Sequence, residues 1–266
     1  MKKLLLVGVV LSSVFAPIAQ AATTLKISTA YPGGTFVMDQ LKTASKDITA
    51  QTDGRVKLKI YPGGVQGGNQ SVLKKIKKGL LAGVLIEGGA LAVDYKDSQV
   101  YNAPMFFSSY EEVDAVRKEM DSVIESGFKD AGWNTYGLVE GGFAYAMTNT
   151  PATSIAQLQK QKLWLPANDP LVEKIANVMG ISPIYLGIAE VLTGLSTNSI
   201  NAIVAPPIGA LTLQWFNKVK YYTDVPFMYT YATLALSDKA LKKVSAEDQK
   251  IMADVLNKAL YAVDQA

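Results

Sequence analysis

The sequence predicts an α/β fold of two lobes, each a sheet flanked by helices. A pattern of strand, glycine turn and helix fills the first half of the chain, and the same pattern restarts after Pro151. Between the two sets lies one extended run, Asn134 to Asn149. It is far longer than the usual strand of about 5 or 6 residues, and a strand of that length can cross from one lobe to the other.

At the N-terminus, Lys2 and Lys3 precede an apolar run from Leu4 to Ile18, and Ala19-Gln20-Ala21 places small residues where a signal peptidase reads. A cleaved secretory signal over residues 1–21 is expected, with the mature chain starting near Ala22. The apolar run is shorter than the roughly 20 residues a spanning helix requires.

Leu25 to Thr29 then reads as a strand broken by Tyr31-Pro32-Gly33-Gly34, after which Val37, Leu41, Ala44 and Ile48 recur at helical spacing. Val56 to Tyr61 alternates apolar residues with lysine, as a half-buried strand does, and Pro62-Gly63-Gly64 ends it. Val72, Leu73, Ile76 and Leu80 fall on one helical face, opposite a solvated face of Lys74, Lys75, Lys77 and Lys78. Ala82 to Glu87 is a short apolar strand, and Ser109-Tyr110-Glu111-Glu112 is a capping box that opens a helix. Strand, helix, strand, helix, strand implies parallel neighbours with helices on both faces.

After the crossing run, Ser154 to Gln157 is a second capping box, Lys162 to Leu165 a strand and Pro170 to Val178 a helix. Ser182 to Leu186 is a strand, Ile188 to Asn198 helical, Ile200 to Ala205 a strand and Pro207 to Val219 helical. Thr230 to Ser237 would return to the first lobe, and Ser245-Ala246-Glu247-Asp248 caps a last helix. The expected division is lobe 1 over residues 22–143, lobe 2 over 144–224, and the return strand with its helix over 225–266. A ligand would sit between the lobes, at the carboxyl ends of the strands.

Composition narrows the chemistry. The chain has no Cys and no His, which removes the commonest metal ligands and the commonest general base and argues against zinc hydrolases, Ser-His-Asp triads and Cys-His nucleophiles. The net charge of +3 falls further once Lys2 and Lys3 leave with the signal, and no block of like charge remains. Nucleic acid and anionic membranes are therefore poor partners. Glycines 63, 64, 67 and 68 lack a following Gly-Lys-Ser/Thr, so tight turns explain them better than phosphate binding. No catalytic residue, metal or cofactor is assigned.

The segments Gly54 to Gly64 with Gly67-Gly68, Leu158 to Pro166, Glu190-Val191 and Lys220-Tyr221, in this order, resemble the solute-binding proteins of TRAP (tripartite ATP-independent periplasmic) transporters. The resemblance runs from about Leu25 to Val255. It implies a type II-like two-lobed periplasmic binding protein, each lobe a mixed sheet flanked by helices. It also implies a periplasmic location, a small-molecule ligand, membrane permease subunits as partners, a monomeric state and no enzymatic activity. Members of that family continue with further helices that brace the lobes, so a chain stopping at Ala266 within a helical pattern is expected to be truncated.

The resemblance further implies a cleft in which two arginines and an asparagine grip a carboxylate, one arginine by a bidentate bridge. Carried across, the principal arginine falls on Trp164, the second on Ala144 and the asparagine on Ala205. The aromatic that packs on the ligand falls on Ile188, a late polar position on Tyr231, and Glu87 is the one ionised ligand-facing residue. Tyr31, Phe36, Tyr145 and Tyr185 stand at strand ends or in the loops after them, where a cationic ligand could stack. Trp164 offers a large apolar face and one N–H donor. An apolar, aromatic or uncharged ligand is expected in place of a simple carboxylate. The alternative is a non-transporting ligand sensor or interaction protein of the same fold, working with a membrane sensor kinase. Asp169 and Asp224 read as isolated carboxylates near turns.

Overall fold

The computed structural model describes residues 22–167 and 169–265. Residues 1–21, where the signal peptide is expected, lie outside them, as do Asn168 and Ala266. Strand β1 (Thr23–Thr29) leads through the glycine turn into helix α1 (Phe36–Gln51), which buries Met38, Leu41, Ala44 and Ile48. The sequence pattern put Val37 on that face, whereas Met38 takes the place and Val37 is half-buried. In β2 (Val56–Tyr61) Val56 and Leu58 are buried while Lys57 and Lys59 are exposed, the expected alternation. Helix α2 (Asn69–Lys77) buries Val72, Leu73 and Ile76 but ends before Leu80, which is exposed.

Strand β3 (Gly83–Glu87) runs into two 3-10 turns over Gly88–Leu91 and Lys96–Asn102 that the sequence pattern did not reveal. Helix α3 (Tyr110–Asp130) opens on Ser109, whose hydroxyl accepts from the Glu112 N–H at 3.3 Å. The crossing run is one strand, β4 (Trp133–Thr148). Beyond it come α4 (Ile155–Leu158), β5 (Leu163–Pro166), α5 (Pro170–Val178), β6 (Ile184–Leu186), α6 (Ile188–Ser196), β7 (Ala202–Ala205) and α7 (Pro207–Thr212).

The helix expected from Pro207 to Val219 is shorter than the pattern implied. Gln214 adopts a left-handed φ of 60° that stops it, and a 3-10 turn over Trp215–Lys218 folds Trp215 into the core. The chain continues through β8 (Tyr221–Tyr222), β9 (Met228–Ser237) and α8 (Asp238–Leu241) to α9 (Ala246–Asp264). This last helix packs on α1 and β4, capped by Ser245 and anchored by Arg55, which pairs with Asp248 at 2.9 Å.

The strands form a mixed sheet in the order β2-β1-β3-β9-β4-β7-β5-β6, with β8 beside β4. The expected parallel neighbours occur within each lobe, β1 with β2 and β3, and β5 with β6 and β7. What joins the lobes is antiparallel: β9 lies between β3 and β4, and β4 pairs with β7. Strand β4 changes partner along its length, facing β9 as far as the pair Ala144 and Met228, then β7 from the pair Tyr145 and Ala205. A bulge between Glu140 and Gly142 precedes the change, and Gly142 takes the positive φ of 82° that such a kink requires. Among the described residues no helix is long and apolar enough to cross a membrane.

Candidate ligand-binding site

A cavity of about 570 Å³ lies between the lobes, inside the range of small-molecule pockets. It sits where β3, β5 and β7 end, so the ends of parallel strands supply its walls from both sides. One wall is apolar. Trp164 at the middle of β5 is 4% exposed and stacks edge-on against Trp215 at 5.2 Å between ring centres. Ala144 and Ala205 lie beside it on β4 and β7, and Ile188 begins α6 at the rim.

The Trp164 N–H, expected from the sequence to be open to a ligand, instead donates to the Leu186 carbonyl at 3.0 Å. Trp164 therefore presents only carbon to the cavity. Tyr231 is likewise committed: its hydroxyl donates to the Ser98 carbonyl at 2.6 Å, and its ring packs against Tyr101. It forms a floor, and its polar end points away into the first lobe.

The opposite side is acidic. Glu87 stands at the carboxyl end of β3 facing the cavity, with Tyr31 and Asn69 beside it. Burial pushes its carboxyl above the ordinary glutamate range and Asp169 adds to the rise, opposed by its own backbone N–H and the Asn69 amide. Burial, with a smaller push from Glu87, likewise raises the Tyr31 phenol. Because the folded-state value for Glu87 lies above the unfolded one, ionising this group disfavours the folded state. The penalty is absent below the ordinary glutamate range and grows as pH rises through the raised value. Glu87→Gln is accordingly expected to raise the melting temperature at neutral pH but not at about pH 4. Equal melting temperatures at neutral pH would show that Glu87 ionises there without cost.

Asp169 is where the lobes meet. Its Oδ1 caps α5, accepting from the Leu171 and Val172 N–H groups at 3.1 and 3.2 Å, and also accepts from the Gln99 amide across the cleft. Its Oδ2 lies against Gly89 on the first lobe, so close that a Cβ there would fall 2.5 Å away. Gly64 and Ala189 make a second contact between the lobes. Burial raises the Asp169 carboxyl, and its capping bonds and Gln99 oppose the rise.

The structure brings Trp164, Glu87, Ala144, Ala205, Ile188, Tyr31 and Tyr231 around one cavity, but not Tyr145. On β4, Tyr145 follows the partner change, and its ring packs edge-on against Tyr222. Its register partner on β7 is Ala205, so the two share a face, but the Tyr145 ring lies toward β8 and not over the cavity. Phe36 lines the mouth, whereas Tyr185 is an exposed residue outside the cavity. Asp169, read along the sequence as an isolated carboxylate, and Asn102, which the sequence pattern had not marked, line it too. The available signal for Asp169 was its place: an N-cap followed by Pro170, directly after a strand.

Among the described residues no lysine or arginine lines the cavity. The chain has only two arginines. Arg55 pairs with Asp53 and Asp248, while Arg117 pairs with Asp121 and Asp264 and touches the Tyr229 hydroxyl. Both are engaged elsewhere.

Two α/β lobes joined by antiparallel strands, with a largely apolar cavity where their parallel strands end, form the architecture of a solute-binding protein. The chain belongs to the DctP family, bacterial extracellular solute-binding protein family 7, whose profile matches residues 27–265. These are the binding proteins of TRAP transporters, not enzymes. The chain is similar to the sialic acid-binding periplasmic protein SiaP of Vibrio cholerae, at 22% identity over 92% of this chain and 76% of that protein. The ectoine/5-hydroxyectoine-binding periplasmic protein UehA of Ruegeria pomeroyi is 26% identical over 82% of this chain and 64% of the relative. Among solved structures, a TRAP periplasmic solute-binding protein of Pseudomonas putida with bound D-glucuronate superposes with a TM-score of 0.82 at 21% identity, covering 91% of this chain and 80% of that one. A counterpart from Sulfurospirillum deleyianum with bound succinate gives 0.82 at 16% identity, covering 92% and 79%.

Proposed function

We propose that the protein is the extracytoplasmic receptor of a TRAP-type transporter, working in the periplasm as a monomer. It takes up a small organic molecule that is apolar, aromatic or uncharged over most of its surface and hands it to membrane permease subunits. The observation that carries the reading is the cavity lining: Trp164, Ala144 and Ala205 stand there, and among the described residues no cationic side chain lines the space. Where similar proteins hold glucuronate or succinate, a carboxylate entering this cavity would lose its hydration and meet no charged donor, a cost of several kcal/mol. On this reading the family's three carboxylate-gripping side chains are replaced at Trp164, Ala144 and Ala205.

Native mass spectrometry of the protein purified from its own periplasm tests this directly. The expected result is a co-purified molecule without a free carboxylate; a simple mono- or dicarboxylic acid bound in stoichiometric amount would overturn the reading. The lobes would close about the kink in β4 near Gly142 and Phe143, bringing Asp169 onto Gln99 and Gly89. Small-angle scattering should show a smaller radius of gyration once that molecule is restored to stripped protein. An unchanged radius despite calorimetric binding would exclude hinge closure.

A further inference from the structure

One corner of the cavity contains acceptors that the protein leaves without donors. Asn102 is 6% exposed, and its amide nitrogen is fixed by donation to the Tyr229 carbonyl at 2.9 Å, which leaves its Oδ1 as a buried acceptor with no partner. Such an orphan costs about 1–3 kcal/mol, so it calls for a donor from outside the chain. Asp169 Oδ2 lines the same cavity, and among the described residues the donors that reach Asp169, from Gln99, Leu171 and Val172, all bond its other oxygen, Oδ1. These two atoms stand 3.5 and 2.5 Å from the point that a Cβ on Gly89 would occupy, so both oxygens crowd around that glycine and leave no room there for a side chain. Glu87, two residues earlier, faces the same space. Glu140 also lines the cavity, but its carboxylate already accepts from the Tyr229 hydroxyl at 3.2 Å.

We propose that the solute carries one positive charge, a primary ammonium directed at Glu87, Asp169 Oδ2 and Asn102 Oδ1 beside Gly89, with an apolar body against Trp164. This rests on reading the cavity as the solute site. An ammonium has three N–H donors for three acceptors, whereas a hydroxyl has one and a carboxylate has none. A bare metal ion fits less well, since among the described residues no three carboxylates converge to hold one. Burial keeps both carboxyls above their ordinary range. A cation at that corner removes the repulsion and strengthens each bond through charge.

The test compares three probes of one shape by calorimetry on the mature chain at neutral pH: phenethylamine, phenethyl alcohol and phenylacetate. Phenethylamine is expected to bind about tenfold or more tightly than the alcohol, and phenylacetate to give no heat at millimolar concentration. Glu87→Gln and Asp169→Asn should each remove most of the amine's advantage, read as the ratio of amine to alcohol affinity within the same variant. Both variants preserve shape, and asparagine still caps a helix, so loss of fold does not confuse the result. Equal affinities for amine and alcohol would overturn the charge assignment and leave the apolar reading standing. Tightest binding by phenylacetate would overturn both. No heat from any of the three would also overturn the ammonium assignment, leaving the apolar reading to the co-purified molecule.

Discussion

Replacing Trp164 by alanine is expected to cost the fold about 3–5 kcal/mol, the range for removing a buried tryptophan, and to weaken the natural ligand by about 1–3 kcal/mol. The two losses share one cause. The ring is 4% exposed, packs on Trp215 and is pinned by its N–H to the Leu186 carbonyl, so it braces β5 against β6 while its remaining face lines the cavity. Urea denaturation with and without ligand separates the terms. Trp164→Phe should recover part of the packing but not the bond to Leu186. A variant Trp164→Ala as stable as the parent would mean the indole is a loose lid, not a structural wall.

Simple dicarboxylates, keto acids and sialic-acid-like sugars should not bind the unmodified protein at micromolar concentration, and Trp164→Arg should not rescue them. A single arginine placed among Met147, Ile203 and Trp215 loses hydration and the packing of the indole, and the carboxylates Glu87 and Asp169 that line the same cavity compete with any incoming carboxylate for it. That variant is therefore expected to melt well below the parent. Recovering a carboxylate site would require Ala144→Arg and Ala205→Asn in addition, since both positions line the cavity. Calorimetry with succinate decides the matter. Micromolar binding by the parent would require a cation in the cleft, yet Arg55 and Arg117 are both held elsewhere by carboxylates.

The local pattern of the sequence carried most of the elements. Alternation fixed β2, helical spacing fixed the buried face of α1, and Ser109, Ser154 and Ser245 marked helix starts that the structure caps through those hydroxyls. These are short-range effects, decided by neighbours within a turn or two of chain. The length of β4 likewise announced a strand joining two lobes. Where the pattern misled, a distant contact overruled it. The helix after Pro207 stops at Gln214 so that Trp215 can reach Trp164, some fifty residues earlier. No local rule records that meeting.

The site divides in the same way. The sequence determined that the wall would be apolar and that arginine would be missing from it, because residue identity at Trp164, Ala144 and Ala205 is itself the chemistry. Only the tertiary structure decided what those side chains have left to offer. It spent the Trp164 N–H on Leu186 and the Tyr231 hydroxyl on Ser98, and it turned Tyr145 off the cavity. It also drew Asp169, read along the chain as a lone carboxylate, across the cleft to Gln99 and Gly89 beside the unpartnered Asn102 oxygen. The reason is physical: a hydrogen bond or an ion pair depends on separation in space, and residues 87, 102 and 169 become neighbours only when antiparallel β9 and β4 fold one lobe against the other.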